Sequence, residues 1–325
     1  RIKIRGSDGY SYAFLCKREE RGDMRKNSRL MEFNTVINRL LQLTPETRKR
    51  KLRLRTFAVL PMTEECGLIE WVNNTECFRH IIHGIHDKMH IPFDFGALKL
   101  LMKNCGGKGT IKFFRACVKK FPAVFHQWFA TKFPEPTSWF ENRLVYTHSV
   151  AAWSMVGHIV GLGDRHGENI LIDKLNGECV HVDFDCLFDR GKFLEIPERV
   201  PFRLTQNIVD GFGVTGCSGH FQKSCEGVLS VLRTNKDILM NVLYSFLHDP
   251  LVEWKESSAE KRQQKANTIM GDIEKRLRGI LTDPRDRRQE SDLPLSISGQ
   301  VHQLIEDATN EENLCRMYIG WMPWL

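Results

Sequence analysis

A polar segment at residues 161–185 constrains the fold of this chain more than any other feature. Its first part reads Gly-Leu-Gly-Asp-Arg-His-Gly-Glu-Asn, and two short apolar runs rich in β-branched residues follow, Ile170 to Ile172 and Cys179 to Val182. Asn176-Gly177 between the runs is a strong signal for a tight turn. We therefore predict a two-stranded hairpin that brings the residues after its second strand back beside those before its first.

The polar residues around this hairpin have the spacing of a phosphoryl-transfer site. Such a site needs a group that orients the acceptor hydroxyl and oxygen ligands that hold magnesium against the nucleotide phosphates. Asp164 suits the first task and Asn169 the second, at the separation of five found in the His-Arg-Asp loop of protein kinases. Asp183, in Asp-Phe-Asp, stands where those kinases have Asp-Phe-Gly, whereas His166 follows its arginine instead of preceding it.

This reversed order carries a resemblance to a known family. Asp-Arg-His in the catalytic loop resembles the phosphatidylinositol 3-kinase-related protein kinases, and the likeness runs nearly end to end. Within that family it is nearest to the checkpoint kinases of replication stress. The segments that carry this narrower likeness are 66–75, 133–139, 181–188 and 200–205.

The resemblance implies an α+β, bilobal protein-kinase-like fold, with a small β-rich N-lobe carrying one main helix and a large, mostly helical C-lobe. We expect residues 1–72 to form the N-lobe and hinge, with the phosphate loop upstream of this chain. Residues 73–254 would form the C-lobe with the catalytic and activation loops, and the polar stretch 255–292 a mobile regulatory insert or linker. Residues 293–325 resemble a FATC segment, whose terminal tryptophans should pack beside the activation loop.

The resemblance also assigns nucleotide contacts in the N-lobe and hinge. Lys17, at the end of the second predicted strand, would contact the ATP phosphates. Trp71 would stack on the adenine, with the Glu70 carbonyl and the Val72 amide pairing with its edge. The sequence alone favours the alternative that Trp71 is a core residue.

The main N-lobe helix raises a question about the acidic partner of Lys17. Apolar residues recur at helical spacing from Leu30 to Leu41, with Asn27 or Ser28 placed to cap the start and Thr44-Pro45 to close the end. Family members carry an acid near this start, where Asn27 stands here. Either Glu20 or Asp23 replaces that acid, or the ion pair is weakened, and we assign Asp23 to the role.

Other segments have simpler interpretations. Residues 52–55 and 57–60 are expected to form a strand, and 95–102, 111–121, 124–129 and 143–160 to form helices, the last delivering the chain into the catalytic loop. A further helix is expected around Ile269 to Ile280. The spaced histidines His80, His83, His86 and His90 are expected to form an exposed face and not a metal site.

Charge and composition bear on which classes of partner this chain can bind. A net charge of +7 over 325 residues is mild and falls short of the usual charge of a nucleic-acid-binding domain, so basicity decides little. The resemblance implies that any DNA contact is indirect. The most apolar stretch is too short to cross a membrane. The activation segment 185–200 mixes acids and bases without a lysine cluster, which favours a protein substrate over an anionic lipid.

These observations predict a serine/threonine protein kinase that uses ATP with magnesium, or manganese in its place. Asp164 would act on the substrate hydroxyl with help from His166, and Asn169 and Asp183 would hold the metal. The resemblance implies Ser/Thr-Gln targets, DNA damage and checkpoint signalling in the nucleus, an ATRIP-type obligate partner bound through regions outside this chain, and a large oligomeric complex. The alternatives are a pseudokinase scaffold of the same superfamily and a lipid kinase.

Overall fold

The computed structural model describes residues 1–18, 24–63, 65–248, 259–281 and 293–325. A four-stranded sheet and one long helix form a small lobe, and most of the remaining helices form a larger one. The predicted bilobal α+β fold is confirmed.

The small lobe is built on an antiparallel sheet in the order β1-β2-β4-β3. The strands are β1 (Ile2–Arg5), β2 (Ser11–Arg18), β3 (Val59–Pro61) and β4 (Cys66–Glu70). The predicted hairpin between β1 and β2 is confirmed, with Gly6 and Tyr10 bonded across its turn. Lys17 lies opposite Gly67 in the β2–β4 ladder, which places the lysine at the centre of the lobe.

The expected strand at residues 52–55 is wrong. This segment is an extended connection, in which Leu52 and Leu54 are buried while the two arginines between and after them reach the large lobe. Arg53 forms a bidentate ion pair with Glu178 at 3.0 Å, and Arg55 pairs with Asp173. The alternation of leucine and arginine therefore reflects contact between the lobes and not pairing in a sheet.

The helix of the small lobe starts earlier than predicted. Helix α1 spans Met24–Leu43 and α2 spans Pro45–Lys49, so the expected end near Thr44 is confirmed. The expected cap at Asn27 or Ser28 is wrong, because both lie inside α1. Asn27 is buried and its amide lies 3.9 Å from the Met24 sulfur, so it packs as an interior residue.

The large lobe contains most of the helices and a three-stranded sheet in the order β5-β6-β7. The strands are β5 (Thr75–Cys77), β6 (Ile170–Asp173) and β7 (Cys179–His181). Its helices are α3 (Phe78–Lys88), α4 (Phe95–Asn104), α5 (Ile111–Lys120), α6 (Phe125–Lys132), α7 (Pro136–Val160), α8 (Gln206–Asp210), α9 (His220–Thr234), α10 (Lys236–Leu247), α11 (Ala259–Arg278), α12 (Ile297–Thr309) and α13 (Glu311–Cys315), with 3-10 turns at Arg190–Phe193 and Ile319–Trp321. The hairpin predicted around Asn176-Gly177 is confirmed as β6 and β7.

Helix α7 is the buried axis of the large lobe and is longer than predicted. It starts at Pro136 because the Glu135 carboxylate accepts hydrogen bonds from Thr137 N (3.1 Å) and Ser138 N (2.7 Å). It ends at Gly161, whose left-handed φ of 61° turns the chain into the catalytic loop. A Cβ on Gly161 would lie 2.6 Å from the Asp189 backbone nitrogen, so only glycine fits this turn.

Helix α11 gives residues 259–278, within the stretch 255–292, a packed structure. Ile273 and Leu277 are buried, and the helix packs on α7, α9 and α10. Arg276 donates to the carbonyl oxygens of His158 and Ile159, both at 3.1 Å. The helix expected in this region is confirmed over 259–278, whereas residues 255–258 and 282–292 lie outside the described ranges.

The C-terminal segment packs against the large lobe, as predicted. Trp321 and Trp324 are buried, and the Trp324 ring meets Phe113 of α5 edge to face at 5.8 Å. Arg199 N, in the activation segment, lies 3.3 Å from the Met317 sulfur. The tail therefore lies beside the activation segment.

The histidine-rich helix α3 differs from the expected exposed face. His80 and His90 are exposed and His83 is half-buried, but His86 is buried and its Nε2 lies 2.9 Å from the Pro122 carbonyl oxygen. His86, the third of these histidines, thus faces the core. Separately, no helix in the described ranges is long and apolar enough to span a bilayer.

Candidate active site

A cavity of about 560 Å³ lies between the lobes and collects most of the predicted nucleotide and metal residues. Its size is that of a small-molecule site. The predicted residues in its wall are Lys17, Glu70, Trp71, Val72, Asn169 and Asp183. The two predicted catalytic residues, Asp164 and His166, are not in this wall; they lie just before Asn169 in the same loop.

The backbone of Asp164 is held in an unusual conformation. Its φ is 57°, in the left-handed region that non-glycine residues rarely adopt. Its carbonyl oxygen accepts from Asn169 Nδ2 at 2.9 Å, and its N–H donates to Glu198 Oε1 at 2.8 Å. Both backbone groups are thus bound by side chains, and the Asp164 carboxylate stays about half exposed. An aspartate presented in this way can reach a substrate hydroxyl.

Arg165 joins the catalytic loop to the end of the hairpin. Its buried guanidinium donates to the carbonyl oxygens of Gly163 (2.8 Å), Val182 (2.7 Å) and Asp183. Burial lowers the pKa of the guanidinium, and the nearby carboxylates of Asp183 and Asp164 oppose that shift. Sequence reasoning missed this role, although a charged residue between Asp164 and His166 in an apolar neighbourhood was a usable signal.

His166 faces Asp164 as a neutral ring. Its Nδ1 accepts from the Glu168 N–H at 3.2 Å, which assigns the proton of the neutral imidazole to Nε2. Nε2 lies 4.0 Å from Asp164 Oδ2. Burial lowers the pKa of His166, so the ring is a hydrogen-bond donor beside the catalytic carboxylate and not a cation.

Lys17 has acidic neighbours that the sequence did not suggest. Its Nζ lies 3.7 Å from Asp183 Oδ2 and 3.9 Å from Asp185 Oδ2. The predicted partner Asp23, and the alternative Glu20, lie outside the described residues. Asn27, at the family's acidic position, lines the cavity. The second aspartate of Asp-Phe-Asp, Asp185, could have indicated this pairing, but the sequence analysis did not use it.

The hinge presents Trp71 to the cavity. The residue is 39% exposed and lines the pocket, so the alternative that it is a core residue is wrong. The backbone around it is fixed, because Trp71 N donates to Ala13 O and Glu70 N to Ala58 O, both at 2.8 Å. The side chain therefore joins the cavity wall from a fixed backbone, and the Arg1 guanidinium lies over its ring, 4.6 Å from the ring centre.

An aromatic stack supports the metal-ligand end of the hairpin. The buried rings of Trp153 and His181 lie parallel at 4.8 Å, and Phe184 continues the stack at 5.8 Å from Trp153. Phe57 of the small lobe covers Phe184 from the other side at 6.2 Å. Burial holds the pKa of His181 well below its usual range, so the stack is uncharged. Phe184 anchors Asp183 by packing into this core.

The two predicted metal ligands fit a magnesium ion. Asn169 Nδ2 is bonded to Asp164 O, which leaves its Oδ1 as the free end of the amide. With the Asp183 carboxylate, this gives two hard oxygen donors, the number that magnesium uses when phosphates and waters complete its octahedron. In the part of the chain that the structure describes, no group of three His, Cys, Asp or Glu side chains could hold a metal by itself.

Comparison with protein families agrees with this geometry. The family model described as phosphatidylinositol 3- and 4-kinase matches residues 11–256, and the FATC domain model matches residues 294–325. The first match contains every predicted site residue and covers parts of both lobes.

Known relatives narrow the resemblance. The chain is 49% identical to the serine/threonine-protein kinase ATR of Arabidopsis thaliana and 46% identical to the protein kinase rad3 of Schizosaccharomyces pombe, with all of this chain aligned in both. It spans only 12% and 13% of those relatives' length. The solved FAT and kinase domain of CtTel1 superposes with a TM-score of 0.86 at 35% identity, covering 99% of this chain and 22% of that one. The resemblance predicted from the catalytic loop is confirmed, and the chain belongs to the phosphatidylinositol 3- and 4-kinase family, with a FATC domain at its C-terminal end.

Proposed function

We propose that this chain is the catalytic part of a serine/threonine protein kinase, which transfers the γ-phosphate of ATP to Ser or Thr, with Gln following, in DNA damage and replication-stress checkpoint signalling. One observation carries the proposal: Lys17, Asn169 and Asp183 line one cleft, and Asp164 is joined to it through the hydrogen bond between its carbonyl oxygen and Asn169 Nδ2. The names of the relatives, which are protein kinases, support the substrate class.

Each residue has a role that its geometry supports. Lys17 contacts the ATP phosphates, and Asn169 Oδ1 and Asp183 hold magnesium, with manganese as a substitute. The metal, when bound, neutralises charge on the phosphates. Asp164 orients the substrate hydroxyl and accepts its proton, and His166 donates its Nε2–H to the transferred group.

The hinge residues bind the adenine. Trp71 offers its ring face for stacking, and the Glu70 carbonyl and Val72 amide pair with the edge of the base. Asp23, close to the start of α1, supports Lys17. These assignments predict that adenine binding and metal binding can be disrupted separately, because the adenine residues follow β4 whereas the metal ligands flank β6 and β7.

Two alternatives are less well supported. A pseudokinase scaffold has no need of the contacts that hold Asp164 and Asn169 in place. A lipid kinase would require cations that meet an anionic headgroup, yet two cations of the activation segment bind within it: Lys192 pairs with Asp189 at 3.2 Å, and Arg190 donates to Asp185 O at 2.8 Å.

The wider setting follows the relatives. We assign residues 1–72 to the N-lobe and hinge, 73–254 to the C-lobe, 255–292 to a regulatory insert that includes α11, and 293–325 to the FATC segment. The protein acts in the nucleus, contacts DNA indirectly, and binds an ATRIP-type partner through regions outside this chain. A solved relative described as a complete CtTel1 dimer with C2 symmetry supports a large oligomeric assembly.

The test compares the full natural protein with its Asp183→Ala variant, using magnesium-ATP and three acceptors: a Ser-Gln peptide, a Ser-Ala peptide and phosphoinositide vesicles. We expect transfer to the Ser-Gln peptide alone, and its loss in the variant. Asp87→Ala, which removes an exposed aspartate on α3, is the matched control and should retain activity. Equal activity of Asp183→Ala would contradict the site, and turnover of lipid alone would support the lipid kinase.

A further inference from the structure

The activation segment sends one carboxylate back to the catalytic loop. Glu198 stands near the end of that segment, and its Oε1 accepts the 2.8 Å hydrogen bond from the Asp164 N–H. Its own N–H donates to Gly191 O at 2.9 Å, which closes the segment into a loop. The carboxylate therefore connects two parts of the site that are separated by the whole β6–β7 hairpin.

Two glycines make room for this carboxylate. A Cβ on Gly191 would lie 2.0 Å from Glu198 Oε2, and a Cβ on Gly163 would lie 2.4 Å from the same atom. The three heavy atoms nearest to the Gly191 position all belong to Glu198. Neither glycine has a positive φ, so the backbone conformation does not require glycine at these positions. The close approach of the Glu198 carboxylate does. The local sequence is thus shaped around the Glu198 side chain.

The contact stabilises a conformation that Asp164 would otherwise disfavour. A non-glycine residue at φ 57° is strained by about 1 kcal/mol or more. Asn169 binds the carbonyl oxygen of Asp164, and Glu198 binds its N–H. Loss of either bond would allow the Asp164 backbone to relax and its carboxylate to move. Asn169 is also a metal ligand in the proposed function, whereas Glu198 has no other task in the cleft.

We propose that Glu198 is a positioning residue for phosphoryl transfer, whose carboxylate fixes the left-handed backbone of Asp164 and so makes catalysis depend on an ordered activation segment. This inference rests on the proposed function. It accounts for the glutamate, for Gly163 and Gly191, and for the strained backbone together. Disorder anywhere between residues 185 and 198 would withdraw the carboxylate and misplace Asp164 without touching the nucleotide contacts.

Glu198→Ala in the full natural protein tests this role. We expect kcat for Ser-Gln peptide phosphorylation to fall about ten- to hundredfold, the usual effect of losing one charge-assisted hydrogen bond. KM for ATP should stay within about twofold, because Glu198 is not among the residues that line the cavity between the lobes. Glu198→Gln retains an acceptor oxygen and should recover most of kcat. The matched control is Glu195→Ala, which removes an exposed glutamate of the same segment and should leave kcat unchanged.

A double-mutant cycle separates positioning from general damage. Gly191→Ala displaces the carboxylate and should lower kcat, but adding it to Glu198→Ala should cause no further loss, since its clash is with Glu198. Additive losses would overturn the proposal, as would a kcat for Glu198→Ala within about twofold of wild type.

Hydrogen exchange at the Asp164 amide gives a readout independent of activity. We expect faster exchange in Glu198→Ala than in wild type or Glu195→Ala. If the wild type phosphorylates no peptide, the proposed function fails, and this exchange measurement still decides whether Glu198 holds Asp164. Unchanged exchange would refute the contact.

Discussion

Arg203 joins the C-terminal segment to the catalytic lobe, and its removal should release that segment. Its buried guanidinium donates to the carbonyl oxygens of Trp321 (2.7 Å), Met322 (2.9 Å) and Leu325 (3.3 Å), and it lies 4.2 Å from the Trp321 ring centre. Burial lowers the pKa of this guanidinium to about 9. The group is thus a largely desolvated cation that depends on these carbonyls.

The cost of Arg203→Met can be worked from these contacts. The two shorter bonds are each worth about 1.5–3 kcal/mol as charge-assisted bonds, and removal of the buried charge returns part of this sum. A net loss of about 3 kcal/mol would weaken docking of the segment roughly 150-fold, at about 1.36 kcal/mol per tenfold change.

Hydrogen exchange and limited proteolysis of the full natural protein measure this release. We expect the amides of residues 311–325 to exchange faster by about two orders of magnitude in Arg203→Met, because docking is the opening reaction that limits their exchange. Arg199→Met is the control, since Arg199 is an exposed cation of the neighbouring segment. Exchange in Arg203→Met that matches the control would refute the assignment of docking energy to Arg203.

Three further predictions test other parts of the molecule. Trp71→Ala should raise KM for ATP roughly tenfold or more, with kcat little changed, because stacking on a base is worth about 1–3 kcal/mol; steady-state kinetics would show this, and an unchanged KM would place adenine elsewhere. Burial raises the pKa of Glu198 from 4.5 to about 7, so the folded state binds the proton more tightly and stability falls as pH rises from 4.5 through 7. Glu198→Gln should therefore be more stable than wild type near pH 8 by up to about 3 kcal/mol, from a pKa difference of about 2.5 at about 1.36 kcal/mol each, and should melt at a higher temperature there but not below about pH 4.5; a pH-independent difference would contradict that pKa. Ile273→Ala should lower the melting temperature through a loss of about 2–4 kcal/mol, and no change would mean that α11 is not part of the core.

Local patterns predicted the parts of the site that depend on neighbouring residues. The Asn176-Gly177 turn fixes the register of its own hairpin, so the positions of Asn169 and Asp183 followed from a few residues. The order of Asp164, Arg165 and His166 likewise indicated the chemistry before any long-range contact was known.

Long-range contacts could not be predicted. Arg203 binds carbonyl oxygens more than a hundred residues away, and Arg276 binds the carbonyl oxygens at the end of α7. Because every residue has a backbone carbonyl, the sequence does not indicate which of them will accept these bonds. At Asn27, by contrast, a local pattern gave a wrong prediction. Its residue type favours a helix cap, but burial beside the cavity overrode that preference, so the helix began a turn earlier.

The arginines that bridge the lobes have a consequence for nucleotide exchange. Arg53 binds Glu178, whose side chain is only 2% exposed, and α1 packs directly on α9 and α10. A rigid rotation that parted the lobes would leave this buried carboxylate without its cation, at a cost of several kcal/mol. Such openings would be sparsely populated, so in the proposed function ATP would enter and ADP would leave mainly through local movement of strands around a nearly closed cleft. Inhibitors that require widely separated lobes should accordingly bind this chain slowly, whatever their final affinity.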